Sequence, residues 1–359
     1  MKIKYLFILL ILSFQNVFSQ VYNSGYETLF FERCAGAKNE AMGKILSVGN
    51  SSYFTLFANP AINTENKEIS AYYSYSNPYY SQDKFGFNFL GITTNLGNIG
   101  AFGVALLHNN WGEYTYSTIE NPHGQKYFAF ENLYTASYAR SIGKICDFGV
   151  EGNLYVDNRY LNKSFQNSFF TIGLSKAFLL KEGSTSKDIL HTGLQIVNLF
   201  GQGVKYDYSN PYWTSAPVKT FPFPSILRIG IENELILLKN ESCFDQHYIT
   251  IRTSLEYEDL LNSKTRSSFK FGSEITTLDL ISLRFGYFNT QLDYWFNIKK
   301  KLDAFTFGAG LNIDLREYTE NWPFALLIDY VNMKQTVIEN SNYSGNYNTI
   351  QARIRYFWN

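Results

Sequence analysis

The chain has 359 residues, of which 45% are hydrophobic, 18% aromatic and only 17% charged, where soluble domains carry about a quarter charged residues. Lysine plus arginine equals aspartate plus glutamate at 31 each, so no basic excess points to nucleic acid or an anionic surface. Mean hydropathy is -0.19, which excludes a stack of spanning helices. It does not exclude a transmembrane β-barrel, whose apolar residues occupy alternate positions.

Residues 1–19 read as a signal peptide. Lys2 and Lys4 form the positive end, 5–14 the apolar run, and Ser19 the small residue before a cut ahead of Gln20. The run is too short to span a bilayer comfortably, and no cysteine follows the cut, so the expectation is export to the outer membrane without a lipid anchor. Residues 20–67 do not alternate. They read as a small N-terminal plug or pre-barrel segment, with a helical turn or two within 40–48 after Gly36. Pro60 marks a boundary, since it cannot donate a ladder hydrogen bond.

Residues 68–359 change to short alternating runs separated by turn residues, the pattern of an outer-membrane β-barrel. Expected strands cover 69–76, 85–95, 99–108, 133–142, 148–157, 165–179, 189–199, 225–237, 247–258, 268–277, 280–290, 304–314, 323–333 and 348–358. That makes an all-β, 14-stranded antiparallel transmembrane barrel. Long stretches at 111–132 and 198–224, rich in Tyr, Asn, Gly and Pro, read as loops outside the cell. The aromatics of the second, from Tyr206 to Phe223, read as an interfacial girdle. Phe85, Phe87, Phe89, Phe102, Val104 and Leu106 on the early strands leave room for a local apolar pocket.

Charges recur on the face opposite the apolar one, where they avoid a midplane penalty of ~2–4 kcal/mol. Glu151, Arg228, Glu232, Arg252, Glu256, Lys270, Glu274, Arg284, Asp329, Arg353 and Arg355 are assigned to the lumen on this ground. Both signs are mixed, so mutually neutralising pairs that fill a closed lumen and anchor the plug are favoured over an open polar path. Strand glycines such as Gly193, Gly230, Gly272, Gly286 and Gly308 suit a curved wall or close lumen packing. The last strand sets Ile350, Ala352, Ile354, Tyr356 and Trp358 on one face. Ile354, Tyr356 and Trp358 read as the insertion signal, although Asn359 follows the aromatic pair.

No catalytic constellation stands out. His108, His123, His191 and His247 are scattered without metal-ligand spacing. A triad of His191 with a serine and an acid has no local support. Cys34, Cys146 and Cys243 lack the spacing of a disulfide framework or a metal site. No enzyme activity, metal or cofactor is expected.

The order of several short motifs resembles the PorV/PorQ family, a branch of FadL-like outer-membrane barrels found in Bacteroidetes. Residues 36–43, containing Gly36, Met42 and Gly43, are similar to its "GAR-x-x-x-MG" opening, and Asn59, Pro60 and Ala61 to its "NPA" lead-in. Residues 193–199 resemble its "G-x-x-x-x-N-L/I-G" strand and 223–230 its "LP-x-x-LR-x-G". Lys44 departs from the usual second glycine, and Asn50, Ser51 and Ser52 stand where an acidic run is usual. The resemblance implies a plugged 14-stranded barrel, with some members assisting type IX secretion or surface attachment. The expected partners are lipid, secretion or attachment proteins, or a hydrophobic small molecule. The main expectation is a type IX accessory; the alternative is a transporter of hydrophobic small molecules.

Overall fold

The computed structural model describes residues 36–49, 58–65, 68–76, 86–117, 121–160, 163–201, 203–206, 219–238, 247–261, 267–294, 298–317, 322–336 and 344–357. The signal peptide, Phe85, Tyr208, Tyr212, Trp213, Cys34, Cys243 and Trp358 lie outside them. The strands are β1 (Ile69–Ser76), β2 (Gly86–Asn95), β3 (Ala101–Tyr116), β4 (Gln125–Ile142), β5 (Cys146–Tyr160), β6 (Lys163–Glu182) and β7 (Ser186–Val197). There follow β8 (Gly203–Tyr206), β9 (Lys219–Pro222), β10 (Ile226–Leu238), β11 (His247–Leu260) and β12 (Ser267–Thr277). The last are β13 (Ile281–Tyr294), β14 (Ile298–Asp314), β15 (Phe324–Thr336) and β16 (Ser344–Tyr356).

Fourteen of these close an antiparallel barrel, β8 and β9 standing apart as a hairpin between β7 and β10. The seam pairs β1 with β16, from Ile69 against Tyr356 to Ser76 against Thr349. Closure leaves the fourteen barrel strands no unpaired edge, which is the condition for a sheet to cross lipid.

The alternation fixes which residues face outward. On β13, Ile281 and Leu283 are exposed while Ser282 and Arg284 are buried. On β16, Ile350 and Ile354 are more than half exposed, between buried Thr349, Gln351 and Arg353. Leu90, Val104, Phe170, Ile231, Leu255, Phe305, Phe307 and Ile328 continue this outer apolar belt round the circumference. Water does not tolerate an apolar patch of that extent on a monomer. Acyl chains accept it, so the fold is that of a transmembrane barrel.

Two stretches differ from the sequence-based expectation. Residues 111–132 are mostly strand: β3 and β4 stay paired as far as Tyr116 against Gln125, past a bulge between Asn110 and Gly112. There Lys126 meets Glu113 at 2.7 Å and Tyr114 stacks on Tyr127 at 5.8 Å. Those contacts hold a hairpin together beyond the apolar belt, where alternation is not required. On β3, Phe102 and Val104 face outward and Leu107 inward, so Phe102 and Val104 line no internal pocket.

An inner segment precedes β1. Helix α1 (Ala37–Ala41) and the 3₁₀ turn Pro60–Glu65 lie inside the barrel, with 36–48 and 58–63 buried. The helix begins at Ala37, ahead of the expected 40–48. One turn of backbone is enough to redirect the chain along the wall.

Candidate functional site

The inner segment follows the wall round. Ala37 N donates to Gln351 Oε1 on β16 at 2.9 Å, and the Thr349 hydroxyl donates to the Glu40 carboxylate. Thr306 Oγ1 on β14 donates to Ala41 O at 2.8 Å and accepts from Gly43 N at 3.3 Å. Leu46 N, Ser47 N and Ser47 Oγ all donate to Glu256 Oε2 on β11, at 2.8, 2.6 and 2.6 Å. Asn59 Nδ2 donates to Leu174 O on β6 at 2.8 Å, Leu194 O on β7 at 3.3 Å, and Ser47 O at 2.9 Å. Its Oδ1 accepts from Ala61 N at 3.1 Å, so one amide ties together the inner chain, two strands and the 3₁₀ turn. Asn95 Nδ2 on β2 donates to Thr64 O at 2.7 Å. Glu68 then meets Arg353 on β16 at 2.8 Å, and the ring ends near the strand where it began.

At several other contacts the wall carries glycine. A Cβ on Gly193 would stand 1.9 Å from Ser47 O, and one on Gly173 1.9 Å from Asn59 Oδ1. Gly286 and Gly272 admit Gly43 and Met42 in the same way, at 2.1 and 2.6 Å. These strand glycines let the inner segment approach closely, by its backbone at Gly193, Gly272 and Gly286 and by the Asn59 side chain at Gly173.

Strands β10–β16 bury a charge network. Glu274 on β12 accepts from Arg252 and Arg284, each at 2.5 Å, and faces Lys38 of α1 at 3.2 Å. Arg252 also reaches Glu234 at 2.6 Å, and Arg284 reaches Asp329 at 2.7 Å. A second chain links Arg228 to Glu258 at 2.6 Å, and Lys270 to both Glu258 and Glu256 at 2.8 Å. Each cation touches a carboxylate, which is how ionised groups persist away from water. Glu256 joins this network to the inner backbone.

Strands β1–β7 enclose something different. Tyr72, Phe87, Phe89, Leu107, Leu133, Tyr155 and Phe169 form one buried apolar cluster, completed by Phe223 from the segment between β9 and β10. Phe223 meets Tyr155 edge-on at 5.3 Å and Phe169 at 5.4 Å, and its carbonyl accepts from Asn198 Nδ2 at 3.1 Å. It is 2% exposed, so it is no part of an interfacial girdle. The ring touches β4 to β6 at Ser137, Gly149 and Gly173. Leu133, Tyr155 and Phe169 lie next along those strands, toward the β3–β4 hairpin. Beside the cluster, Glu131 accepts from Asn109 Nδ2 at 3.0 Å, Trp111 Nε1 at 2.5 Å and the Tyr155 hydroxyl.

His191 joins the halves. Its Nε2 lies 3.2 Å from Glu234 and its Nδ1 3.8 Å from Glu65. Ser175 lines the same crevice. With both ring nitrogens facing carboxylates, neither is placed to take a proton from that serine, so no triad assembles here. Among the described residues no group of three His, Cys, Asp or Glu could hold a metal ion.

The residues singled out in the sequence fall as follows. Gly36 caps α1, accepting from Glu40 N at 3.0 Å, and Met42, Gly43, Asn59, Pro60 and Ala61 lie in the ring. Arg228, Glu232, Glu256, Lys270, Glu274, Arg284, Asp329 and Arg353 are buried within the late strands; Arg252 and Arg355 are half-buried there. Arg355 donates to Asn312 at 3.0 Å, and Glu232 accepts from Ser254 at 2.6 Å. Glu151 belongs to the early strands and accepts from Asn153 at 2.9 Å. Ile354 and Tyr356 face outward, Tyr356 against Phe324 at 5.2 Å. Sequence reasoning missed Lys38, Glu65, Glu131, Asp157, Glu234 and Phe223. Strand parity signals Glu131, Asp157 and Glu234; nothing local signals the others.

The apolar exterior and the occupied lumen define a closed transmembrane β-barrel with its own N-terminal segment inside. No protein-family model and no curated protein matches the chain. Among solved structures it is similar to the Ralstonia pickettii toluene transporter TbuX, at 11% identity and a TM-score of 0.48 over 91% of this chain and 99% of that one. The Pseudomonas putida toluene transporter TodX gives 12% identity and a TM-score of 0.47 over 91% and 98%. A Pseudomonas aeruginosa FadL homologue gives 9% and 0.46 over 94% and 100%. What this chain does is therefore read from its own residues.

Proposed function

We propose that this protein is an outer-membrane barrel that passes a hydrophobic small molecule, taken up at the apolar cluster of β1–β7. The observation that carries this is the segregation of the lumen. A barrel built only as a scaffold has no need to gather eight apolar side chains on one side of a polar interior. Phe223 acts as a stopper on the loop side, and the ring of residues 36–49 and 58–65 acts as the plug beneath. Entry requires Phe223 to withdraw and exit requires the plug to shift.

The test is uptake of a labelled hydrophobic compound by cells with and without the protein. Loss of the protein lowers uptake. Replacing Leu107 with Trp, which fills the cluster, lowers it as well while the barrel still folds. Unchanged uptake in both strains sinks the reading. A second reading, an accessory of type IX secretion or surface attachment, draws support from the bonds that seal the lumen around the plug. Loss of surface display of proteins with type IX sorting domains, with uptake intact, favours it instead.

A further inference from the structure

The outer face departs from its own pattern near the β4–β5 turn. The outward positions of β4 run Tyr134, Ala136, Tyr138, Arg140 and Ile142, and those of β6 run Phe170, Ile172, Leu174, Lys176 and Phe178. Arg140 and Lys176 are thus cations on the lipid-facing register. Apolar side chains continue past both: Ile142 is 49% exposed, Phe178 46%, and Ile145 in the turn 74%. Arg140 pairs with Phe148 on β5, Phe148 pairs with Leu174 on β6, and Lys176 is the next outward residue. The two strands are roughly 10 Å apart, a gap that two long side chains can bridge around one small group. Lys176 Nζ donates to the carbonyl of Lys144, which brings a third cationic residue to the same place. The acids of this rim are engaged elsewhere. Glu182 meets Lys187 at 3.9 Å, and Asp147 accepts from Ser141 Oγ. Asp188 accepts from Asn233 Nδ2 at 2.6 Å and lies opposite Lys181. Among the described residues no carboxylate forms an ion pair with Arg140, Lys144 or Lys176. Inside the barrel, by contrast, Arg228, Arg252, Lys270 and Arg284 each meet one.

We propose that Arg140, Lys144 and Lys176 form a site for the headgroup of an anionic phospholipid of the surrounding leaflet. The bilayer covers this face, and the apolar side chains on either side of the cations hold the acyl chains. The occupant is therefore a lipid and not a free anion. The guanidinium takes two phosphate oxygens at once, and the ammonium groups add charge without a fixed direction. Their methylene stems stay along the apolar wall. Three cations without an acid favour a headgroup of net negative charge. A zwitterionic headgroup brings an ammonium of its own, for which the site offers no carboxylate. The site lies outside the lumen and stands whether or not the barrel transports.

The whole protein, folded in detergent micelles, is titrated with dioleoylphosphatidylglycerol or dioleoylphosphatidylcholine, and bound lipid is counted by native mass spectrometry. The anionic lipid binds about tenfold more tightly than the zwitterionic one. Arg140→Gln combined with Lys176→Gln removes that preference, with the heat-modifiable shift of the folded barrel unchanged; Lys144→Gln serves where the double variant does not fold. Lys126→Gln, at the opposite end of β4, leaves the preference in place. Equal binding of the two lipids overturns the proposal, as does a preference that survives in the folded double variant. A preference lost equally in Lys126→Gln reports net charge alone and also overturns it. Displacement of the anionic lipid by millimolar inorganic phosphate reveals a free-anion site and overturns the lipid assignment.

Discussion

Strands β1–β7 and β10–β16 share one kind of outer face and carry two kinds of inner face. Outward, Leu90 and Val104 on the early strands are as exposed as Leu255 and Leu283 on the late ones. Inward, the late strands bury Arg284 between Glu274 and Asp329, and the early ones bury Phe169 beside Phe223. The bilayer constrains only the outer positions, so the inner ones were free to differ. The late half fills its lumen largely with directional charge pairs, the early half largely with apolar contact. The first resists rearrangement because each group depends on its neighbours. The second tolerates exchange of one apolar body for another.

The largest effect that would test this contrast comes from Glu274→Ala. It strips Lys38, Arg252 and Arg284 of a shared carboxylate, and stranding buried charges costs ~3–5 kcal/mol. Denaturant titration of the refolded barrel reads the loss, and a change under 1 kcal/mol would mean that water reaches the network. Next, Phe169→Ala in the early half costs about 3 kcal/mol as a cavity. Added dodecanol recovers part of it here, whereas no such rescue occurs for Glu274→Ala. Rescue of both would erase the distinction between the halves. Leu283→Arg and Leu90→Arg, on the outer face of either half, each cost ~2–4 kcal/mol. Unequal losses in bilayers would show that the outer belt is not uniform. The smallest effect is Tyr155→Phe, which keeps the ring against Phe223 and removes one hydroxyl from Glu131. It costs about 1.5–3 kcal/mol, read by the same denaturant titration.

The legibility of the chain follows the same division. Where one face is charged and the other apolar, as along Leu227, Arg228, Ile229 and Gly230, parity alone tells lumen from lipid, and the burial of Arg228 and Gly230 agrees. β1 is bounded as its sequence suggests, from Ile69 to Ser76. On β3 both parities are apolar, Phe102 and Val104 on one and Ala105 and Leu107 on the other, so hydropathy has no sign to offer. The tall hairpin of β3 and β4 was equally hidden, because tyrosines and charges stabilise it without a lipid pattern. Phe223 was unreadable for another reason. Its place depends on Asn198 and Ser225 fixing the chain beneath β9, through contacts between residues distant in sequence. The ring was signalled by Pro60 and by strand glycines, but its path needed coordinates. Backbone-to-wall bonds such as Leu46 N to Glu256 leave no trace in composition.

The ring ends where the barrel closes. Thr349, Gln351 and Arg353 of β16 zip against β1, and the same three side chains hold Glu40, the Ala37 amide and Glu68. Docking the final strand therefore completes the hydrogen-bonded cylinder and fastens its contents in a single event. A newly inserted chain that has not yet gripped its own leader lacks a finished rim. Closure of the wall and retention of the inner segment thus rest on the same three side chains of β16.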